Sequence, residues 1–386
     1  MDFALTEEQN LIVETIRDFV ERELYPHEDL VEELDEIPDE VASAIQAAAI
    51  RNGLYAPNMP ESVGGGGLDA VSLMLVEREL GRASFALQSL VGRPSNILMA
   101  CTGEQIERYL LPAVRGERHD CLAMTEPDAG SDVQAMRTRA IRDGSDWVIS
   151  GTKHFISHAD RSDFIILFAV TGIEETSRGP RNRISAFLVD TEVAGLTITR
   201  GSKCVSHRGY HQCELHFDGA RVPGSALLGE EGRGLELMGE WLGAARLVIA
   251  ANSVGRSQRI LDATLQWVSQ RQAFGQTIGR FQGVSFPLAD SITEIAASEL
   301  LVLQAADRFE RGVMTDTDAA MAKLFATETL GRVADRAVQA YGGMGLMAEV
   351  RIERWWRDAR VERIWDGTSE IQRHIISRAA LRPLGS

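Results

Sequence analysis

Apolar residues recur at three- and four-residue intervals from Thr6 onward, and Leu11, Ile12, Ile16, Phe19 and Val20 fall on one face of a helix. Thr6 followed by Glu8 and Gln9 predicts the helix start, with Thr6 as N-cap and Gln9 at the third helical position. Helical patterning continues to about Arg118, and the acidic run Glu28–Glu40 reads as a solvated helix surface with its turn. Near Asp120 the period changes. Trp147–Ser157, Asp163–Thr171, Ile184–Asp190 and Cys213–Val222 are short runs rich in Val, Ile, Phe and Thr, parted by Gly, Asp, Arg and Pro. They predict a compact antiparallel β domain ending near Leu228. The glycine-rich stretch 229–234 returns the chain to helix. Leu235, Met238, Trp241, Leu242, Ala245, Val248, Ile249 and Asn252 form a stripe toward Trp267, and helical patterning persists almost to the end. The expected chain is α+β in three parts: an all-α domain over 1–119, a β domain over 120–228 and an all-α domain over 229–386.

Composition narrows the functional classes. The 386 residues suffice for two or three substantial cores, and 44% hydrophobic with 25% charged residues is ordinary for a soluble globular protein. Forty basic against 56 acidic side chains give a formal charge of -16, which disfavours nucleic acid and anionic membranes as partners. A local basic groove for a phosphorylated cofactor remains compatible with that charge. Cys101, Cys121, Cys204 and Cys213 form no CxxC pair and no metal-ligand spacing, as expected of reduced thiols in a cytoplasmic protein. The acidic, helical amino terminus is neither a secretory signal nor an arginine-rich transit peptide, and no apolar run reaches the ~18–20 residues of a membrane span. A processed organellar protein would look the same.

Two glycine strings are set aside. Pro60–Gly67 has no strand before it and no lysine after it, so it reads as an interhelical loop rather than a phosphate loop. Gly343, Gly345 and Ala348 match a loose dinucleotide-binding string, but the preceding RVADRAVQAY is helix-like, so the required strand is missing.

Four segments carry the chemistry: CLAMTEPDAGSD at Cys121–Asp132, FIS at Phe155–Ser157, RQAFG at Arg271–Gly275 and WDGTSEIQR at Trp365–Arg373. Together with LTEEQ at Leu5–Gln9, they resemble the acyl-CoA dehydrogenase family, in the family's order and over essentially the whole chain. The resemblance implies the acyl-CoA dehydrogenase-like fold: an N-terminal helical domain, a middle antiparallel β domain and a C-terminal helical bundle. It also implies FAD as cofactor. Breaking two C–H bonds of an unactivated acyl chain needs a base for the α proton and a hydride acceptor for the β hydrogen, and no side chain accepts hydride. Within the matched segments, Met124, Thr125 and Ser157 correspond to contacts along the flavin edge, where hydrogen-bond donors stabilise the reduced ring. Phe155 corresponds to an aromatic packed on the ring face; on its own it equally reads as a strand core residue. Ser131 corresponds to a contact with the CoA portion. Arg271, Phe274 and Gln282 resemble residues that bind the FAD of a neighbouring subunit, where a guanidinium suits pyrophosphate. Gln339 and Gly343 resemble the segment receiving its adenosine end, and they also read as a helix end closed by glycine. FAD would then bridge subunits of a homotetramer, a dimer of dimers.

The family's usual glutamate base is replaced here by Asp366, followed by Gly367 at the thioester and by Thr368, which resembles a contact to FAD adenosine. Some relatives carry the base on the helix after the β domain, just before an arginine; that arginine is Arg246 and the base position is Ala245, which cannot serve. Asp366 therefore stands as candidate base, with a reach shorter by one methylene and a pKa expected to rise on desolvation. Its other reading is a cap of the last helix. Arg246 is either a neighbour tuning Asp366 and the CoA or a surface helix arginine.

Two features depart from the family. Ser206–Phe217 is one residue longer than the family hairpin and carries His207, His211 and His216; its spacing does not suit a metal in a strand, and a modified loop near the CoA entrance is the alternative. Arg93 lies where the family shapes its acyl cavity and points either outward or inward toward a substrate carboxylate. The expected activity is FAD-dependent α,β-dehydrogenation of an acyl-CoA to the trans-2-enoyl-CoA, with electrons passed to an electron-transfer flavoprotein. The rivals are an aspartate-base oxidase of the nitroalkane-oxidase type, a dehydrogenase of carrier-protein thioesters, and a non-catalytic flavin-binding assembly protein.

Overall fold

The computed structural model describes residues 4–177 and 179–384. Its first part is helical: α1 (Glu7–Phe19), α2 (Glu28–Leu34), α3 (Asp39–Arg51), α4 (Ala70–Leu80), α5 (Phe85–Gln88) and α6 (Leu111–Val114). The Thr6–Gln9 capping box forms reciprocally, at 3.1 Å each way. One expectation fails here. The acidic run is not wholly solvated: Glu28 is buried, and both its oxygens accept from the Arg259 guanidinium at 2.7 Å. The stretch Gly64–Gly67 is a loop after a 3-10 turn, between α3 and α4.

Eight strands follow: β1 (Asp120–Ala123), β2 (Arg139–Asp143), β3 (Asp146–Ser157), β4 (Phe164–Thr176), β5 (Gly179–Asp190), β6 (Leu196–Arg200), β7 (Gln212–Pro223) and β8 (Leu227–Leu228). They form one sheet in the order β6-β7-β3-β2-β4-β5-β8, with β1 on β4. The pairing is mainly antiparallel, but β1 and β2 both run parallel to β4. Phe164–Val170 of β4 is buried without interruption because both faces are covered. Phe164, Ile166 and Phe168 pack with helical residues such as Leu110 and Met238, whereas Ile165 and Leu167 pack with Trp147 of β3 and Leu215 of β7.

The last part comprises α7 (Gly234–Gln270), a two-strand hairpin of β9 (Gln272–Ala273) and β10 (Gln276–Thr277), then α8 (Gln282–Glu310), α9 (Asp316–Tyr341), α10 (Ile352–Asp358) and α11 (Ser369–Leu381). RVADRAVQAY lies within α9, so no strand precedes the dinucleotide-like string. Helix α7 is buried along much of its length and joins the outer parts of the chain. Its Gly255 lets α4 approach: a Cβ there would sit 1.7 Å from the Arg78 carbonyl oxygen. Gly81 allows the reciprocal contact, since its Cβ would lie 2.4 Å from Asn252 Cα. Ala70 and Met74 of α4 accordingly share a core with α7, α8 and α9.

Candidate active site

The carboxylate candidate sits in the turn before α11. Thr368 is that helix's N-cap, accepting from the Ile371 N–H at 3.3 Å, so Asp366 is not the cap. Asp366 instead adopts φ +51° and Gly367 φ +94°. A left-handed conformation costs a non-glycine residue roughly 1 kcal/mol, and aspartate tolerates it better than most. Lys323 of α9 holds the turn in place. Its buried ammonium donates to the Trp365 carbonyl and, at 2.6 Å, to the Gly367 carbonyl. Gln372 donates to the same Gly367 carbonyl at 2.7 Å.

Burial raises the Asp366 carboxyl above the usual aspartate range; Lys323, Arg93 and Arg246 oppose that rise and Glu362 adds to it. Burial in turn pulls Lys323 down to about 8 against the pull of Asp366 and Glu362. Arg246, on α7, is 7% exposed and so is no surface arginine. Its nearest carboxylate is Asp316 at 3.8 Å, and its Nε has no partner among the described residues. Burial lowers its pKa, with Asp316 and Asp366 opposing. A buried guanidinium left short of acceptors suits an anionic or carbonyl ligand. Arg93 pairs with buried Glu77 at 3.0 Å, and its charge favours the ionised forms of Asp366 and Tyr210.

A second group of residues gathers at the end of β1. The Met124 carbonyl accepts from Lys153 Nζ at 2.9 Å, and the Thr125 carbonyl accepts from the His154 N–H at 2.9 Å. Lys153 is fully buried and pairs at 2.9 Å with Glu126, whose carboxylate also accepts from the Arg137 and Thr138 N–H groups at 2.7 and 2.9 Å. Burial lowers Lys153 to about 8 despite Glu126. Where β3 slips register against β7, Phe155 adopts φ +58° and presents a ring 61% exposed, stacked on His154 with centroids 3.9 Å apart. That exposure excludes an ordinary core role. Ser157 donates to Gln212 at 3.3 Å, and its hydroxyl favours the ionised form of Tyr210. Tyr210 is pushed up to about 12, mainly by burial, and senses the Asp366 charge; its ring meets His158 of the β domain at 4.2 Å and Trp365 at 6.3 Å. Ser131 is exposed in the turn that follows β1.

The remaining predicted residues lie elsewhere. Arg271 ends α7, 25 residues or about 37 Å along the helix from Arg246. Its guanidinium makes no side-chain bond among the described residues. Phe274, at the hairpin tip, has φ +50° and is 95% exposed. Gln282 opens α8. Gln339 lies 16 residues beyond Lys323 on α9, about 24 Å along its axis, and Gly343 follows in exposed backbone with open space at its Cβ position. One chain therefore brings together Asp366, Gly367, Arg246, Ser157 and Tyr210, and holds Arg271, Phe274, Gln282, Gln339 and Gly343 apart from them.

The histidine loop is also resolved in place. His207 is buried against Asp358 and Glu362, not at an open entrance. His211 contacts Asp160 at 3.0 Å and the Asp35 carbonyl at 2.9 Å, and His216 meets Thr152 at 3.2 Å. Among the described residues no group of three or more His, Cys, Asp or Glu side chains is arranged to hold a metal. No helix among them is long and apolar enough to cross a membrane.

Lys153, Lys323, Tyr210 and Glu362 were not singled out by sequence reasoning. A usable signal existed for two of them: the chain has three lysines among 40 basic residues, and two of the three lie in apolar runs.

Comparison with known proteins agrees with this architecture. The N-terminal, middle and C-terminal domain models of acyl-CoA dehydrogenase match residues 6–117, 121–220 and 232–381. The chain belongs to the acyl-CoA dehydrogenase family, a family of FAD-binding oxidoreductases. It is 37% identical to the probable acyl-CoA dehydrogenase YngJ of Bacillus subtilis, over 99% of this chain and 100% of that one. It is 33% identical to CarC, a subunit of the caffeyl-CoA reductase-Etf complex of Acetobacterium woodii, over 98% and 99% of the two chains. The FAD complex of PigA superposes with a TM-score of 0.91 at 27% identity, covering 99% and 100%.

Proposed function

We propose that this protein is an FAD-dependent dehydrogenase of acyl-CoA thioesters in which Asp366 removes the α proton. The observation that carries the reading is the conjunction at the base turn. A carboxyl with a raised pKa stands on a left-handed turn pinned by Lys323, and a buried, under-bonded Arg246 lies within reach of its charge. A raised pKa moves a carboxylate toward the range where it both stays ionised at neutral pH and binds a proton usefully.

The residues present fit FAD. Phe155 offers an uncovered ring, Ser157 an edge hydroxyl and the Met124–Thr125 backbone a braced rim. Arg271 and Phe274, together with Gln282, Gln339, Gly343 and Thr368, would serve the cofactor's other end. Thr368 lies beside Asp366, but Arg271 is about 37 Å along α7 from Arg246 and Gln339 about 24 Å along α9 from Lys323, so the reading requires the FAD-binding residues of two subunits, and the exposed Phe274 and free Arg271 suit such an interface. When bound, FAD supplies the acceptor for the β hydrogen. The chain's own part is to place the thioester: the Asp366 backbone N–H and Gly367 meet its carbonyl, which acidifies the α carbon, Arg246 and Ser131 meet the CoA side, and Asp366 takes the proton. Electrons then leave to an electron-transfer flavoprotein, consistent with CarC's membership of an Etf complex.

Anaerobic titration of the purified holoenzyme with short, branched, aryl and dicarboxylic acyl-CoAs tests this. Bleaching of the flavin absorbance by one thioester, lost in Asp366→Asn, is the expected result. Reduction by nitroalkanes alone, or by nothing, overturns it.

A further inference from the structure

The turn that carries Asp366 is braced from behind by a group with no role in the reaction as described. His207 lies in the loop between β6 and β7, at φ +49° and 5% exposed. Its ring packs against Phe85 of α5, with centroids 5.2 Å apart, and against Trp365, at 5.1 Å, and those two rings also meet each other at 4.8 Å, so the three form a triangular cluster. The N-terminal, middle and C-terminal parts of the chain thus each contribute one ring to the cluster. Behind it, fully buried Glu362 accepts from the Trp365 indole N–H at 2.7 Å, contacts His207 Nε2 at 3.2 Å and pairs with Arg256. Asp358 accepts the His207 backbone N–H at 2.6 Å, and its carboxylate stands 3.6 Å from Nδ1.

We propose that His207 is the positioning residue of the base turn: as an imidazolium it holds Glu362 and Asp358 together, and through the indole of Trp365 it fixes where Asp366 points. This rests on Asp366 being the base. The charge count supports it. Two buried carboxylates, Asp358 and Glu362, face the buried Arg256; Lys323 and Asp366 also sense Glu362 but offset each other, and a buried uncompensated anion is costly. A protonated His207 balances the cluster. Burial disfavours that proton and Arg256 opposes it, but Asp358 and Glu362 outweigh both and raise the imidazole's pKa. The remaining neighbours, Phe85, Trp365 and Tyr210, contribute rings to the packing. Lys323 and Gln372 fix the carbonyls on either side of Asp366, and the indole's seat fixes the side chain that precedes it. An aspartate one methylene short of a glutamate leaves little slack for misplacement.

The test uses holoenzyme with His207→Phe, which keeps an aromatic ring in the cluster, His207→Gln, which keeps a donor toward Glu362, and Trp365→Phe, which removes the indole N–H together with part of the ring. Three quantities are read: kcat and KM with a thioester that bleaches the flavin, FAD content, and α-proton exchange of bound thioester followed by NMR. His207→Phe and Trp365→Phe are expected to lower kcat and exchange roughly 10²-fold, as for a base displaced by about 1 Å. KM and FAD content stay within about twofold in both variants. His207→Gln regains part of the loss. In the native enzyme kcat falls on the alkaline side as the imidazolium loses its proton, and that limb disappears in His207→Phe. Unchanged kcat, loss of FAD and KM in step with kcat, or an alkaline limb that persists and so belongs to Lys323 would each overturn the proposal. If Asp366→Asn leaves α-proton exchange intact, it is the base assignment that fails, whatever the His207 variants do.

Discussion

Replacing Lys153 with methionine removes the cation of a fully buried pair while nearly preserving its volume. The native ammonium holds Glu126 and the Met124 carbonyl, both at 2.9 Å. Breaking one side of a buried pair costs about 3–5 kcal/mol because the other charge is stranded. The lower end applies, about 3 kcal/mol, since Glu126 keeps the Arg137 and Thr138 N–H groups. For 386 residues unfolding together, the entropy at the midpoint is roughly 0.8 kcal/mol/K, so the midpoint should fall by about 4 °C. Calorimetry and urea titration of the apo and holo forms measure this, and the holo form should also lose FAD more readily because the Met124–Thr125 rim is no longer braced. Adding Glu126→Gln removes the stranded charge and should return the deficit to about 1 kcal/mol. The pH dependence has a defined sign. Lys153 binds its proton less tightly when folded, at about 8, than when unfolded, so native stability rises as pH climbs from about 8 toward the usual lysine range. Lys323 acts in the same direction, and Lys153→Met should remove only the Lys153 share of the slope. A Lys153→Met protein within about 0.5 kcal/mol of the native one would refute the reasoning, because a deeply buried pair could not then matter so little.

Three further outcomes are expected. The acid limb of kcat/KM should lie above the ordinary aspartate range near 3.9 and move to higher pH in Arg246→Met, since Arg246 favours the charged form of Asp366; a limb that stays put excludes their coupling. Gly255→Ala should destabilise the protein by about 3 kcal/mol or more by driving a Cβ into the Arg78 carbonyl, whereas Gly239→Ala, open in the same helix, should stabilise it by about 0.5–1 kcal/mol; chemical denaturation of the pair decides. Phe274→Ser should shift the oligomer toward smaller species in light scattering and lower the FAD retained per subunit, and an unchanged mass with full FAD would place the interface elsewhere.

The local elements were legible because their causes are local. Period and capping gave α1, and glycine-broken runs of β-branched residues gave β3, β4, β5 and β7. The strands that escaped, β1, β2, β6 and β8, span two to five residues each. So short a segment carries no readable period, and its place is decided by the neighbour it pairs with. Glu28 was read as solvated because nothing in its acidic run announces Arg259, 231 residues away.

The sequence by itself determined the family, the order of helical and β parts and the aspartate that is the candidate base, since each is written in contiguous residues. Only the tertiary structure decided what surrounds that aspartate. Lys323 of α9, Arg246 of α7, Arg93 and the His207 loop reach one turn from four distant stretches of chain. A buried charge is governed by the distances at which its partners arrive, and spacing along the chain does not encode those distances.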